Sequence, residues 1–408
     1  MDFKNKKIAI LGWGVDTQDV EPWLKSQEAD VTVLDEKDKP FGDLTKYDIL
    51  VRSPGVYRYR SDIVKAENAG TTVTSKTKIF FDLCPCPIIG VTGTKGKGTT
   101  STLIYEILQR CLPAGRQVYL GGNIGKGVFE FLPSLAKDSL VVMELSSFQL
   151  IDLHKSPHIA VVLMTTSEHM DWHADPDEYI GAKTQITKFQ NSKDFVVYNK
   201  DYPNSVKIGK QGKAKKISVS GKDWKGQMRL RGEHNRENIA AAVAVAKIFG
   251  IRYSVFGKVI KEFRGLEHRL EEVATINGVM YFDDSFSTTP ETTIAAVKSF
   301  SETLILIVGG SEKGSDFTNL GKVISEAKNL KAVILIGLMA ERIEKAILNK
   351  NLRIVRNLSN MPDIVKKVSE LAKSGDVVLL SPAAASFDMF KNYKERGNRF
   401  KEEVKKLV

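Results

Sequence analysis

An α/β architecture in three domains is what this sequence predicts, and three observations predict it. Short apolar, β-branched runs alternate with helical patterns along nearly all of the 408 residues, the mark of βα units built on parallel sheets. At about 150 residues per domain the length suggests about three separate cores. Pro85 and Pro87 in "DLCPCP" remove backbone donors and stiffen the chain just where one series of strands ends and another begins.

The elements follow in order. The first series, residues 1–82, carries strands in "KIAILGWG", "DVTVLDEK" and "YDILVRSPGV", with a glycine-containing turn after the first. The second, residues 83–270, opens on "CPIIGVTGTKGKGTTSTLIYEILQR", read as strand, glycine-rich turn and helix. It continues through "SLVVMELSS", "HIAVVLMTT" and "DFVVYNKD" to the Ala-rich helix "NRENIAAAVAVAKIFG". The third, residues 271–408, carries "GVMYFDDS", "TLILIVGG", "KAVILIG" and "DVVLLSP", each followed by a helical segment. No fixed-period repeat and no low-complexity segment interrupts this rhythm.

Composition narrows the class without naming a function. The net charge of +11, from 60 Lys and Arg against 49 Asp and Glu, suits an anionic ligand, but the excess is scattered. Runs such as "KIGKQGKAKK" read as a solvated loop, and no basic stripe with interleaved aromatics is present, so no nucleic-acid partner is expected. The three cysteines, Cys84, Cys86 and Cys111, fit neither a zinc knuckle nor a redox C-x-x-C and suggest a reducing compartment. The N-terminal apolar run is too short for a signal peptide, and no stretch reaches the roughly 18 apolar residues of a membrane span. The expectation is a soluble, cytoplasmic monomer.

The stretch "GVTGTKGKGTTSTL" departs from the common phosphate loop G-x-x-x-x-G-K-[ST], because Val91 stands where its first glycine is sought and Gly98 where a hydroxyl follows the lysine. It still has the parts that phosphate binding needs. Gly93, Gly96 and Gly98 let backbone N–H groups approach phosphate oxygens, and Thr94 and Lys95 complete the turn. The following helix directs its positive end at them. Lys97 would neutralise the β and γ phosphates, and Thr99 or Thr100 can offer the hydroxyl to Mg²⁺. A glycine-rich turn with no ligand is the plain alternative, disfavoured by the glycines on both sides of the lysine.

"GVTGTKGKGTT" resembles the ATP loop of the Mur ligases and the related folylpolyglutamate ligases. Further segments extend the resemblance over essentially the whole chain. Glu144, ending the strand in "MELSSFQL", is a natural Mg²⁺ ligand at a strand's carboxyl edge. "SEHMDWH" is similar to the family's segment in which the first histidine, here His169, meets a second metal. "GAKTQI" places Lys183 where Mur ligases carry a carbamylated lysine, an anion able to hold Mg²⁺ where an ammonium would repel it. Alone, each of these would read as a surface or capping residue.

What the resemblance implies is an enzyme of three domains: a Rossmann-like N-terminal domain, a central P-loop ATPase-type parallel-sheet domain and a Rossmann-like C-terminal domain. ATP and two Mg²⁺ would be its cofactors. "GEHNRENIAAA" and "GLEHRLE" imply that Asn238 and Arg269 meet ATP, with Asp284 of "YFDDSFSTTPE" on the ribose or nucleotide. "VGGSEKGSDF" and "SPAAASFDMFKNYKERG" resemble the branch that adds D-glutamate to UDP-N-acetylmuramoyl-L-alanine, and imply that Thr288, Lys313, Ser386 and Tyr393 hold the amino acid. Gly14, Val15, Asp35, Ser53, Pro54, Gly55 and Asn123 would hold the UDP substrate. "LGWGVD" lacks the third glycine of a dinucleotide fingerprint, so a dehydrogenase is disfavoured. Phe286 departs from the family, many of whose members have lysine there in a D-S-K motif. Three other readings stay open: a sister ligase adding another amino acid such as L-glutamate, a nucleic-acid-stimulated ATPase, and a noncatalytic nucleotide-binding module.

Overall fold

The computed structural model describes residues 1–14, 17–35, 40–166, 168, 172–312 and 314–407. Three sheets organise it. The first contains β1 (Lys7–Leu11), β2 (Asp30–Leu34), β3 (Ile49–Arg52) and β4 (Thr72–Ser75), all parallel, in the order β2-β1-β3-β4. The chain leaves β1 towards β2 on one side and β3 towards β4 on the other. The ends of β1 and β3 therefore border a crevice, the usual ligand position in such sheets.

The second sheet contains β5 (Ile88–Thr92), β6 (Val118–Gly122), β7 (Leu140–Glu144), β8 (Ile159–Val162), β9 (Phe195–Asn199) and β10 (Lys215–Val219). Its order is β10-β9-β8-β5-β7-β6 and every pair is parallel. Strands β5, β7 and β8 are buried at every residue, which is why they read as unbroken apolar runs and not as alternating ones. The direction of winding reverses between β5 and β8, so the loops after these strands and after β7 meet at one carboxyl edge.

The third sheet contains β11 (Glu271–Ile276), β12 (Val279–Asp283), β13 (Leu304–Gly309), β14 (Leu330–Ile336), β15 (Arg353–Val355) and β16 (Val377–Leu380), in the order β11-β12-β16-β13-β14-β15. One strand departs from the parallel pattern of the rest: β11, not singled out in the sequence, runs antiparallel to β12. Asn277 and Gly278, both with positive φ (51° and 78°), form the tight turn between them. Asn-Gly is the sequence that a two-residue hairpin favours, because both central residues must be left-handed.

Contacts gather the chain into two compact units, residues 1–227 with 234–261 and residues 228–233 with 262–408. The first unit holds the first two sheets together. Trp23 stacks on Phe129 with centroids 4.5 Å apart, and one apolar cluster runs from Ile8 and Val51 through Phe80 to Phe131 and Val141. A buried ion pair joins the same two sheets: the Arg52 guanidinium donates to the Phe148 carbonyl (2.9 Å) and to Asp152 (3.2 Å). Arg58 reaches Asp152 as well, at 3.2 Å. The second unit has its own core on both faces of the third sheet. Among the described residues no helix is long and apolar enough to cross a membrane.

Candidate functional site

The loop after β5 takes the shape its glycines permit. Gly96 has φ of 86° and caps the helix Lys97–Cys111. A Cβ at Gly96 would lie 2.2 Å from Oδ1 of Asn238, so only glycine lets that side chain press against the loop. Asn238 is buried on the helix His234–Ile248, where its Oδ1 accepts from the Thr100 hydroxyl (3.3 Å) and its Nδ2 donates to Asn235 Oδ1 (2.9 Å). Thr94 fixes the other flank. Its N–H donates to the Met164 carbonyl (2.7 Å), and its hydroxyl donates to the Thr166 carbonyl (3.0 Å) just beyond β8.

Four charged side chains stand around this loop. Lys97 donates to the carbonyls of Gly93 (3.1 Å) and Thr94 (3.0 Å), folding back over the turn. Lys95 is exposed and paired with Glu168 at 2.6 Å. Glu144, 9% exposed, ends β7, and its own carbonyl accepts from the backbone N–H of Asn123 (3.1 Å). That bond brings exposed Asn123 beside the carboxylate-bearing strand end, while Gly122 (φ 88°) has no room for a side chain there.

Lys183 is the fourth. Only 1% exposed, it donates to Thr92 Oγ1 (3.3 Å) and to the Gly93 carbonyl (3.1 Å) and lies 4.7 Å from the centroid of the Tyr179 ring. Burial, and then the charge of Lys97, hold its pKa well below the usual lysine value; Glu168 and Glu144 pull weakly the other way. The result is an amine biased toward its neutral, nucleophilic form. Tyr179 did not stand out in the sequence, yet it completes this corner: its hydroxyl shares a 2.9 Å hydrogen bond with Thr94, and burial pushes its own pKa up to about 12. Its spacing of four from Lys183, one helical turn, was the available signal. His169 lies outside the described residues. Its neighbour His173 is buried between Ser147 Oγ (2.9 Å) and Glu178 (3.2 Å).

At the crevice of the first sheet, Gly12 has φ of 83°, and a Cβ on it would strike Val56 at 2.8 Å. The Trp13 N–H donates to Asp35 Oδ1 (2.8 Å), and Gly14 N–H donates to Thr17 Oγ1 (3.1 Å). Thr17 thus closes the turn where a dinucleotide fingerprint would need its third glycine. Ser53 and Pro54 are buried after β3, and Gly55 offers its carbonyl to the Trp172 indole at 3.3 Å. Val15 lies outside the described residues.

In the second unit the carboxyl ends of β12, β13 and β16 converge. Asp284 is buried, accepting from the Leu270 N–H (3.1 Å) and the Ser381 hydroxyl (2.7 Å), and burial lifts its pKa to about 7. Both its oxygens are thus engaged inside the unit. Thr288 is half-buried, Ser386 is buried, and Tyr393 begins the helix Tyr393–Lys405. Lys313 lies outside the described residues. Arg396, which the sequence reading passed over, is almost fully buried and ties these loops together. It donates from Nε to Ser285 Oγ (2.9 Å), from one Nη to the Ser285 carbonyl (2.9 Å), and from the other to the carbonyls of Ala384 (3.2 Å) and Ala385 (3.1 Å). Burial brings its pKa down to about 10. Arg269 is exposed against the Phe286 ring.

Comparison with known proteins bears directly on this arrangement. Residues 91–221 match the Mur ligase middle domain, and residues 268–384 match the Mur ligase glutamate ligase domain. A UDP-N-acetylmuramoylalanine--D-glutamate ligase of Acetivibrio thermocellus is 36% identical, with 99% of this chain and 97% of that one covered. The chain belongs to the Mur ligase family. Two other Mur ligases show the fold at 16% identity. The UDP-N-acetylmuramate-alanine ligase of Thermotoga maritima superposes with a TM-score of 0.65 over 99% of this chain and 100% of that one. The MurF ligase of the same organism, in complex with ADP, gives 0.61 over 100% and 97%.

Proposed function

We propose that this Mur ligase joins D-glutamate to UDP-N-acetylmuramoyl-L-alanine at the expense of ATP, in the cytoplasmic assembly of a peptidoglycan precursor. The observation that supports the reading best is the grouping of Lys97, Glu144 and Lys183 around a glycine-shaped loop at one carboxyl edge of the second sheet, in a chain 36% identical to a ligase of that name. The domains on this reading are residues 1–82 for the UDP substrate, 83–270 for ATP and 271–408 for the amino acid.

The chemistry is phosphoryl transfer followed by amide formation. The substrate's terminal carboxylate takes the γ-phosphoryl group, and the amine of D-glutamate attacks the resulting acyl phosphate to give a tetrahedral intermediate. That intermediate collapses to the amide with loss of phosphate. Positioning and charge neutralisation supply most of the acceleration. Backbone N–H groups from Lys95 to Gly98 would cradle the phosphates, the Thr94 N–H being held by the Met164 carbonyl, and Lys97 would leave the Gly93 and Thr94 carbonyls to offset the γ-phosphate's charge. Asn238 keeps the loop in shape, and Arg269 is assigned to the nucleotide; Asp284 is assigned there too, on condition that a ribose hydroxyl replaces one of its internal donors.

The donor set suits Mg²⁺, a hard cation that takes oxygen ligands: the Glu144 carboxylate, a loop hydroxyl and an oxyanion at Lys183. With Thr100 directed at Asn238, the hydroxyl falls to Thr99, and His169 is assigned to the second ion. Bound Mg²⁺ would shield the repulsion between carboxylate and triphosphate. Lys183 acquires its oxyanion by carbamylation, since the neutral amine that burial favours is the form that adds CO₂. Gly14, Val15, Asp35, Ser53, Pro54, Gly55 and Asn123 are assigned to the UDP substrate, and Thr288, Lys313, Ser386 and Tyr393 to D-glutamate.

Phosphate release with D-glutamate and with L-glutamate, each with and without the muramoyl nucleotide, tests the reading. Release that requires both D-glutamate and the nucleotide is expected. Equal release with L-glutamate points to a sister ligase, and release without either substrate removes the ligase assignment.

A further inference from the structure

Phe286 follows Ser285 just beyond β12, with a cation set against its ring. The cation at this place is Arg269, whose guanidinium carbon lies 3.7 Å from the centroid of the Phe286 ring, well inside the roughly 6 Å reach of a cation–π contact. The same ring meets Tyr393 edge-on, with centroids 5.0 Å apart and planes at 90°. Its backbone is fixed too: the Phe286 N–H donates to the His268 carbonyl (3.0 Å), and Arg396 grips the preceding Ser285. Phe286 is 37% exposed, so burial of apolar area alone does not account for a ring held on two directed contacts.

We propose that Phe286 is a positioning residue that holds Arg269 as the cation of this stretch and ties it to Tyr393, coupling the nucleotide end of the site to the amino-acid end. The inference rests on the ligase reading, which assigns Arg269 to ATP and Tyr393 to D-glutamate. A lysine at 286 would set a second positive charge against Arg269 and could not serve as its platform.

Steady-state kinetics of Phe286→Leu, Phe286→Tyr and the pair Phe286→Leu with Arg269→Lys test the coupling on the full chain. Phe286→Leu is expected to raise KM for ATP and for D-glutamate by about 3- to 10-fold, the range of a single cation–π contact. KM for the muramoyl nucleotide should stay unchanged, and Phe286→Tyr should keep the wild-type values. In the Arg269→Lys background, the leucine should add less than it does alone. A leucine variant with wild-type KM values, or an effect of undiminished size in that background, overturns the proposal. A readout that does not depend on turnover is the Nε–H resonance of Arg269, displaced by the ring current in the wild type and shifted by Phe286→Leu; an unmoved resonance overturns it equally. Absence of D-glutamate-dependent phosphate release in the wild type defeats the ligase reading instead, and the Arg269 resonance, with affinity for a non-hydrolysable ATP analogue, still decides the role of Phe286.

Discussion

Lys183 and Arg396 are both buried basic side chains that donate to backbone carbonyls, yet their surroundings act on them in opposite ways. Burial, and then the neighbouring charge of Lys97, push the Lys183 pKa well below the usual lysine value, since a compact ammonium tolerates desolvation poorly. Arg396 keeps a pKa near 10 because its delocalised charge tolerates burial, and it spreads its donors over Ser285, Ala384 and Ala385. On the proposed ligase reading the first is poised for chemistry, while the second fastens two loops. The choice of lysine or arginine at a buried site therefore carries functional information that charge alone does not.

Four experiments break or sharpen this contrast. Lys97→Ala should lower ATP-dependent product formation by about 10³-fold or more, the scale of losing a charge partner of the transferring phosphoryl group, with an unchanged far-UV spectrum. It should also release Lys183 toward ordinary lysine behaviour; retained turnover would end the assignment of the loop. Arg396→Lys, which keeps the charge but loses the fork, should cost about 2–3 kcal/mol in urea unfolding, because several buried carbonyls lose their donor. A neutral outcome would show that the clamp is dispensable.

Lys183→Met should abolish turnover but stabilise the ligand-free protein by about 1–2 kcal/mol, since it removes the cost of desolvating the amine or stripping its proton, which no ion pair among the described residues offsets. The sign with pH follows from the lowered pKa: as pH climbs from the folded toward the unfolded value, the wild type gains stability and the variant's advantage shrinks. The smallest effect belongs to Asp284. Its pKa is raised to about 7, so its contribution is fully present below the unfolded carboxylate value near 4 and is lost as pH climbs to about 7. Asp284→Asn should flatten that part of a Tm-against-pH curve, and a curve identical to wild type would contradict the burial argument.

Much of the architecture was legible because it is written locally. Unbroken apolar runs marked the buried strands β5, β7, β8, β13 and β16, and the glycines of "TGTKGKG" marked a turn that only small residues can make. The antiparallel β11 was missed although Asn277-Gly278 announced it, because the surrounding βα rhythm outweighed a two-residue signal. Asn238 and Lys183 were found by resemblance, but their work was not visible: each acts on a loop about 90 residues or more away in the chain.

By itself the sequence determined the three series of strands, the phosphate-type loop and the residue types gathered at strand ends, since turn chemistry and hydrophobic period depend on near neighbours. Only the tertiary structure decided that Lys183 is stripped of water beside Lys97, that Asn238 fills the space a Cβ at Gly96 would need, and that Arg269 rests on Phe286. Desolvation, close approach and ring contact are set by the side chains that folding brings around a residue, and none of those lies beside it in the chain.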